Sequence, residues 1–181
     1  MSIILYSNAT NFNSLGKTSG HPIFLTLGNL PNWYRNLSEA KILLGFLPKV
    51  QDTGIKVCKE FSKLQQEIYH KSLKIILVPL QKKSDSLYFG IKGRPVVFTA
   101  KISIIIADML EEKDITATYK SSRCKMPCYN CMVLRDNLNN MDLEPKDILP
   151  RTLKNMQSVL KDGMGKDFSV HSIENIFWNF S

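Results

Sequence analysis

The chain has 181 residues, with 24 basic and 16 acidic side chains and a formal net charge of +8. At 44% hydrophobic and 22% charged it has an ordinary globular composition, which excludes wholesale disorder, collagen and coiled coil. No apolar run approaches the ~18 residues of a transmembrane helix. Met1 to Tyr6 is too short, and lacks the basic leader, for a signal peptide.

In chain order, Ile3 to Tyr6 is a short β-prone run, followed by a polar loop from Ser7 to Gly20. Pro22 to Leu27 reads as a second strand, ended by Gly28-Asn29 and Pro31. Lys41 to Leu47 is a third, closed by Pro48. The clearest helix follows. Val57, Phe61, Leu64 and Ile68 are spaced 4, 3 and 4, which puts them on one face. Leu73, Ile76 and Leu77 continue the apolar side until Pro79. Lys56, Lys59, Lys63, Lys71 and Lys74 lie largely off that stripe.

Leu87 to Ile91 and Pro95 to Ile106 are rich in β-branched and aromatic residues, which predicts strands. The run ending in Ile104, Ile105 and Ile106 predicts a strand buried on both faces. It stops at Asp108, and Glu111 and Glu112 are expected on a solvated turn. Residues 136–150 read as a polar linker, and Leu153, Met156 and Leu160 as a short helix. The last residues carry Phe177, Trp178 and Phe180, three aromatics that must fold back on the core or meet a partner.

The basic excess is uneven. Residues 1–90 carry 11 basic and 5 acidic side chains, a net of +6, and residues 91–181 carry 13 and 11, a net of +2. Such a face suits a polyanion such as DNA. Cys124, Cys128 and Cys131 fall within eight residues, at C-x3-C-x2-C spacing. Thiolates at x2 spacing can wrap one zinc ion, which takes four tetrahedral ligands. The spacing leaves the fourth ligand open among His171, His70, Cys58 or none, with His171 preferred. A redox pair is disfavoured by Pro127 before Cys128 and by the lack of a thioredoxin-like strand and helix around it. No catalytic triad and no Gly-rich phosphate loop can be assembled from the sequence. Asp108, just past a strand, is where an open α/β sheet places chemistry.

Several motifs together resemble the N-terminal catalytic half of the Plavaka-type transposases of fungi, relatives of the CACTA and KDZ groups. They are Tyr6-Ser7-Asn8-Ala9-Thr10, Gly20-His21-Pro22-Ile23-Phe24-Leu25-Thr26-Leu27-Gly28-Asn29-Leu30-Pro31, Arg35, and Ile42-Leu43-Leu44-Gly45-Phe46-Leu47-Pro48. The strand reaching Ala107-Asp108, the knuckle ending Cys128-Tyr129-Asn130-Cys131, His171 and Phe177-Trp178 follow in the same order. The resemblance implies an α/β, RNase H-like mixed sheet with a packed helix and a cysteine-knuckle insertion, incomplete at the C-terminus. It divides the chain at residues 1–118, a partial catalytic core, and 119–181, the cysteine-rich insertion and C-terminal segment.

The resemblance also implies a triad of acids holding two magnesium ions. The first would lie where this chain has Asn8, the second is Asp108, and the third falls past Ser181. The expectation is therefore a truncated transposase-derived domain that does not cleave DNA. Magnesium would bind only if the site were intact. Zinc would be structural, on Cys124, Cys128, Cys131 and His171. The expected partners are DNA and a full-length transposase, with no membrane, in a nuclear or cytoplasmic rather than secreted setting. The alternative is a zinc-stabilised module that binds nucleic acid or protein.

Overall fold

The computed structural model describes residues 1–11, 19–50, 58–82, 86–119 and 123–179. The elements are β1 (Ser2–Ser7), β2 (Thr10–Asn11), β3 (Ser19–Leu27), α1 (Asn32–Arg35), β4 (Ile42–Leu47), α2 (Cys58–Lys82), β5 (Leu87–Ile91), β6 (Arg94–Phe98), β7 (Lys101–Ile106), α3 (Met109–Ile115) and α4 (Leu153–Lys161). They form a mixed α/β fold in two compact units. One holds Met1–Gln51 and Lys71–Asp108, the other Asp52–His70 and Met109–Asn179.

The first unit is built on a mixed sheet. β1 pairs antiparallel with β3 in a register that runs Ile3 with Leu27 to Ser7 with Ile23. β2 continues the same register, Thr10 with Gly20 and Asn11 with Ser19, so it prolongs β1 rather than adding a new row. β4 pairs antiparallel with the other edge of β3. β7 lies parallel to β1 on the opposite side. The result is a four-row sheet, β4-β3-β1-β7. The connection from β4 to β7 must cross from one edge to the other, as a parallel pairing requires.

One sheet face is packed. Ile3, Leu5, Ile23 and Leu25 are buried there, with Leu73 and Leu77 of α2. A Cβ on Gly45 would meet the Ile76 Cδ1 at 3.7 Å, which fixes how closely helix and strand approach. The other face is only partly covered: Ile4 is buried in it, whereas Tyr6, Leu43, Ile104 and Ile106 are exposed. The expectation that the isoleucine run is buried on both faces is thus corrected. β7 is an edge strand with one packed face, so alternate isoleucines meet water. β5 and β6 form a separate antiparallel hairpin. Its turn uses Lys92 and Gly93 at φ 50° and 74°, the left-handed pair that matches strand twist.

α2 departs from its expected face and end. Within it the buried residues are Gln66, His70, Leu73 and Leu77, spaced 4, 3 and 4, whereas Leu64 is 47% exposed. Leu73 and Leu77 are thus buried as expected, but in the first half of the helix the stripe is turned by two residues, onto the polar Gln66 and His70. Val57 and Lys56 lie outside the described residues, as does the Lys59 side chain. The helix also continues past Pro79 to Lys82. The ring removes only the bond to the Ile75 carbonyl, and both residues are on the exposed side, where water can donate to that carbonyl instead.

The second unit has little regular structure. Its core is Met132, Met156, Val159 and Val170, with Met126, Leu160, Phe168 and Trp178 packed against them. Trp178 therefore folds back, and Phe177 is half-buried; Phe180 lies outside the described residues. Glu111 is buried on α3, together with Lys113 and Asp114, so the solvated turn expected there is a short helix whose first residues, Met109 and Leu110, are exposed and whose later part is largely buried. α4 covers the expected Leu153, Met156 and Leu160, and the Thr152 hydroxyl caps it by accepting the Asn155 N–H at 3.2 Å.

Candidate functional site

Two groups of residues carry chemistry, one in each unit. The first lies at the sheet's carboxyl-terminal strand ends. In the β1–β7 register Tyr6 is level with Ile106. Just past this pair the chain leaves both strands, Asn8 following the end of β1 and Asp108 lying two residues past the end of β7. Because β1 and β7 are parallel neighbours, two residues a hundred positions apart both follow strands at the same end of the sheet, where open α/β sheets hold ligands.

Asn8 is half-buried and donates from Nδ2 to the Tyr6 hydroxyl at 3.5 Å; Asp108 is exposed. Beneath them, Ser7 is buried and its Oγ lies 2.8 Å from the His21 Nε2. Glu39, the other described carboxylate of this unit, precedes β4, whose start lies at the opposite end of the strands. One carboxylate and one neutral amide do not fit a pair of divalent cations, which need several carboxylates to offset their charge.

The second group is the cysteine loop. An isolated bridge pairs Thr118 with Val170, both buried. It is flanked by two non-glycine residues in the left-handed region, Ala117 at φ 55° and Ser169 at φ 58°. Both are held by main-chain bonds: the His171 N–H donates to the Ala117 carbonyl at 2.8 Å, and the Tyr119 N–H to the Ser169 carbonyl at 2.8 Å. Backbone held in such a sparsely populated region is over-determined by its surroundings. Here it sets the Tyr119 and His171 rings edge to face, with centroids 4.6 Å apart. The Cys124 thiol reaches the Tyr119 carbonyl at 4.0 Å. Burial, then the charge of Cys124, pushes the Tyr119 hydroxyl up.

Cys128 and Cys131 meet directly through their thiols. Burial pushes the Cys128 thiol up. The Asn130 N–H, the Cys131 side chain and N–H, and the charge of Arg151 outweigh it and hold the group below its ordinary value. Cys131 goes the other way, raised by burial and by Cys128. Main-chain N–H groups aimed at sulfur favour thiolate, the form in which cysteine binds metal.

Arg151 organises this loop. Nε donates to the Cys128 and Cys131 carbonyls at 2.8 and 3.1 Å. Nη2 donates to the Met126 and Phe168 carbonyls, both at 2.9 Å. Burial lowers the guanidinium pKa, and the three cysteines oppose that shift. All three sulfurs therefore sit in one cation's field, and the donor set has the chemistry of a zinc ligand shell. Among the described residues, however, no three His, Cys, Asp or Glu side chains are gathered closely enough to hold a metal. Sequence reading missed Arg151. It follows Pro150 at the end of a polar stretch, and a string of letters does not distinguish a half-buried arginine from a solvated one.

The remaining histidine and cysteine candidates lie elsewhere. His70 is 2% exposed; its Nε2 donates to the Asp114 carbonyl at 3.0 Å, and its Nδ1 accepts the Ile176 N–H at 3.4 Å. Gln66 donates to the Asp114 carboxylate. With both ring nitrogens engaged, His70 is a structural residue, and burial lowers its pKa to about 4. The Cys58 side chain lies outside the described residues.

No helix among the described residues is long and apolar enough to cross a membrane. No curated protein matches the chain in sequence. The family model of the Plavaka transposase matches residues 1–180, nearly the whole chain, which therefore belongs to the Plavaka transposase family.

Proposed function

We propose that the chain is a transposase-derived DNA-binding domain whose strand-end site is chemically silent and whose cysteine loop is held by one structural zinc ion. The observation that carries this reading is that Asn8 follows β1 at the same sheet end where Asp108 follows the parallel β7. The amide occupies the position at which a metal-dependent DNA transposase of this type would need its first carboxylate. An RNase H-like core accords with three antiparallel rows followed, through α2, by a strand parallel to the first. The DNA partner is supported by the basic first half, whose Lys41, Lys49, Lys71, Lys74 and Lys82 are exposed. Contacts of this kind are electrostatic and weaken steeply with salt.

Zinc would be held by Cys124, Cys128 and Cys131, with His171 brought up through Tyr119 as the fourth ligand. It would supply a cross-link between the loop and the Val170 segment, with the charge of three thiolates offset by Arg151. Such a site needs reduced thiols, which suits a nuclear or cytoplasmic compartment. Association with a full-length transposase belongs to the same reading, since the open sheet face leaves Leu43, Ile104 and Ile106 uncovered.

The deciding experiment is a nicking and strand-transfer assay with magnesium or manganese, run beside metal analysis of the reduced protein. The expected result is no cleavage, with one zinc per chain that is lost in Cys128→Ser. Metal-dependent cleavage abolished by Asp108→Ala overturns the silent site. Metal-free protein whose fold is unchanged in Cys128→Ser overturns the zinc.

A further inference from the structure

The open face of the sheet is not uniform. Tyr6, Phe24, Thr26 and Lys41 line a cavity of about 440 Å³ on it, within the size range of small-ligand sites. The register explains its shape. Tyr6 pairs with Phe24 across β1 and β3, and their rings lie 6.4 Å apart at 41°. Thr26 is two residues along β3 on the same face, and Lys41 immediately precedes β4, whose Ile42 pairs with Leu25. The cavity therefore runs about 7 Å along the strands, two residue rows, from an aromatic pair to an exposed ammonium. Between them the Thr26 hydroxyl oxygen is buried and has no hydrogen-bond partner. A buried hydroxyl without a partner is costly, and rotation about its Cα–Cβ bond would turn it into the cavity.

We propose that this cavity takes one unpaired nucleotide of a DNA strand. The base stacks on Tyr6 and Phe24, its polar edge meets the Thr26 hydroxyl, and its phosphate pairs with Lys41. Stacking on aromatic rings with a cation along the backbone is how single strands are gripped without sequence readout. A paired base cannot enter, because its face and edge are already covered. Tyr6 also carries Asn8 on its hydroxyl, so the strand held here passes the Asn8–Asp108 edge. The inference rests on the DNA-binding reading above and assigns the bases a place within it.

The test uses the full chain and oligonucleotides carrying 2-aminopurine, whose fluorescence is quenched when it stacks. A single strand should be quenched on binding and a fully paired duplex should not. Tyr6→Ala should weaken single-strand binding about tenfold while leaving duplex binding unchanged, and Tyr6→Phe should keep it. Lys41→Ala should reduce the salt slope for the single strand by ~0.7. Unquenched 2-aminopurine in bound single strand overturns the pocket, as does equal loss of both DNA forms in Tyr6→Ala. Salt-dependent binding that persists in either case leaves the DNA-binding reading standing. Failure to bind either form overturns both. The quenching arm uses the unmodified protein and does not depend on any variant folding.

Discussion

The two units solve the same problem, satisfying the backbone, by opposite means. In the sheet unit, four rows pair their own main chains, and the side chains only have to fill one face. In the cysteine unit, two isolated bridges are the β pairing among the described residues. There the carbonyls of Met126, Cys128, Cys131 and Phe168 rely on one side chain, Arg151. Stability in the first is distributed over many apolar contacts, and in the second it is concentrated on few polar ones. The difference teaches where each unit breaks: by cavities in one, by orphaned polar groups in the other.

The sharpest way to break the contrast is Arg151→Leu. It leaves four carbonyls without their donor, and removing one side of such a network costs ~3–5 kcal/mol. Thiol-reactive labelling of Cys128 and Cys131 alongside urea unfolding should report a loosened loop. Arg151→Lys should recover little, because one ammonium cannot fork to carbonyls on several sides. Full stability in Arg151→Lys would show that charge, not geometry, holds the loop.

The counterpart in the sheet unit is Leu77→Ala. Leu77 is fully buried, and deleting it should cost ~2–4 kcal/mol as transfer and cavity terms add. Leu64→Ala, on the face that periodicity alone selects, should fall within ~0.5 kcal/mol. Equal effects in urea unfolding would mean the buried stripe of α2 has been misplaced. This pair also marks what the sequence can reveal. Ladders, helix existence and the cysteine cluster are legible because they repeat at fixed spacing. The orientation of α2 is not, because Gln66 and His70 are buried through specific bonds to α3 and Ile176 that no hydrophobic pattern announces. For the same reason Asn8 and Asp108 are each visible in the chain, but that they follow strands at the same sheet end emerges only once β1 and β7 are known to be parallel.

His70 gives a third, pH-dependent contrast. The unfolded imidazole takes up a proton near pH 6.5, whereas the buried one resists until about 4. Between those values the unfolded chain binds more protons, so stability falls as pH drops. The contribution is fully present above pH 6.5 and declines by ~2–3 kcal/mol on approaching pH 4. His70→Gln can donate to Asp114 and accept from Ile176 without titrating, and should flatten this slope. Parallel stability profiles for the two proteins between pH 7 and 4.5 would show that the imidazole is not desolvated as described.

The smallest effect tests the adjacency on which the functional reading depends. Asn8→Asp sets a second carboxylate just past β1, at the sheet end where Asp108 follows β7. Asp108 is exposed and residue 8 is only half-buried, so the repulsion is screened and should cost ~1 kcal/mol or less. For a chain of this size that is a fall in Tm of ~2–4 °C, measured in chelator. A divalent cation that binds both carboxylates stabilises the folded form by mass action. Magnesium should therefore raise the Tm of Asn8→Asp, and leave the native protein, with its neutral amide, unchanged. Adding Asp108→Ala to Asn8→Asp should abolish the response, since one carboxylate is again left alone. A magnesium response that survives this second change would place the cation elsewhere. No response in Asn8→Asp would mean that the two side chains, though they follow neighbouring parallel strands, do not share a site.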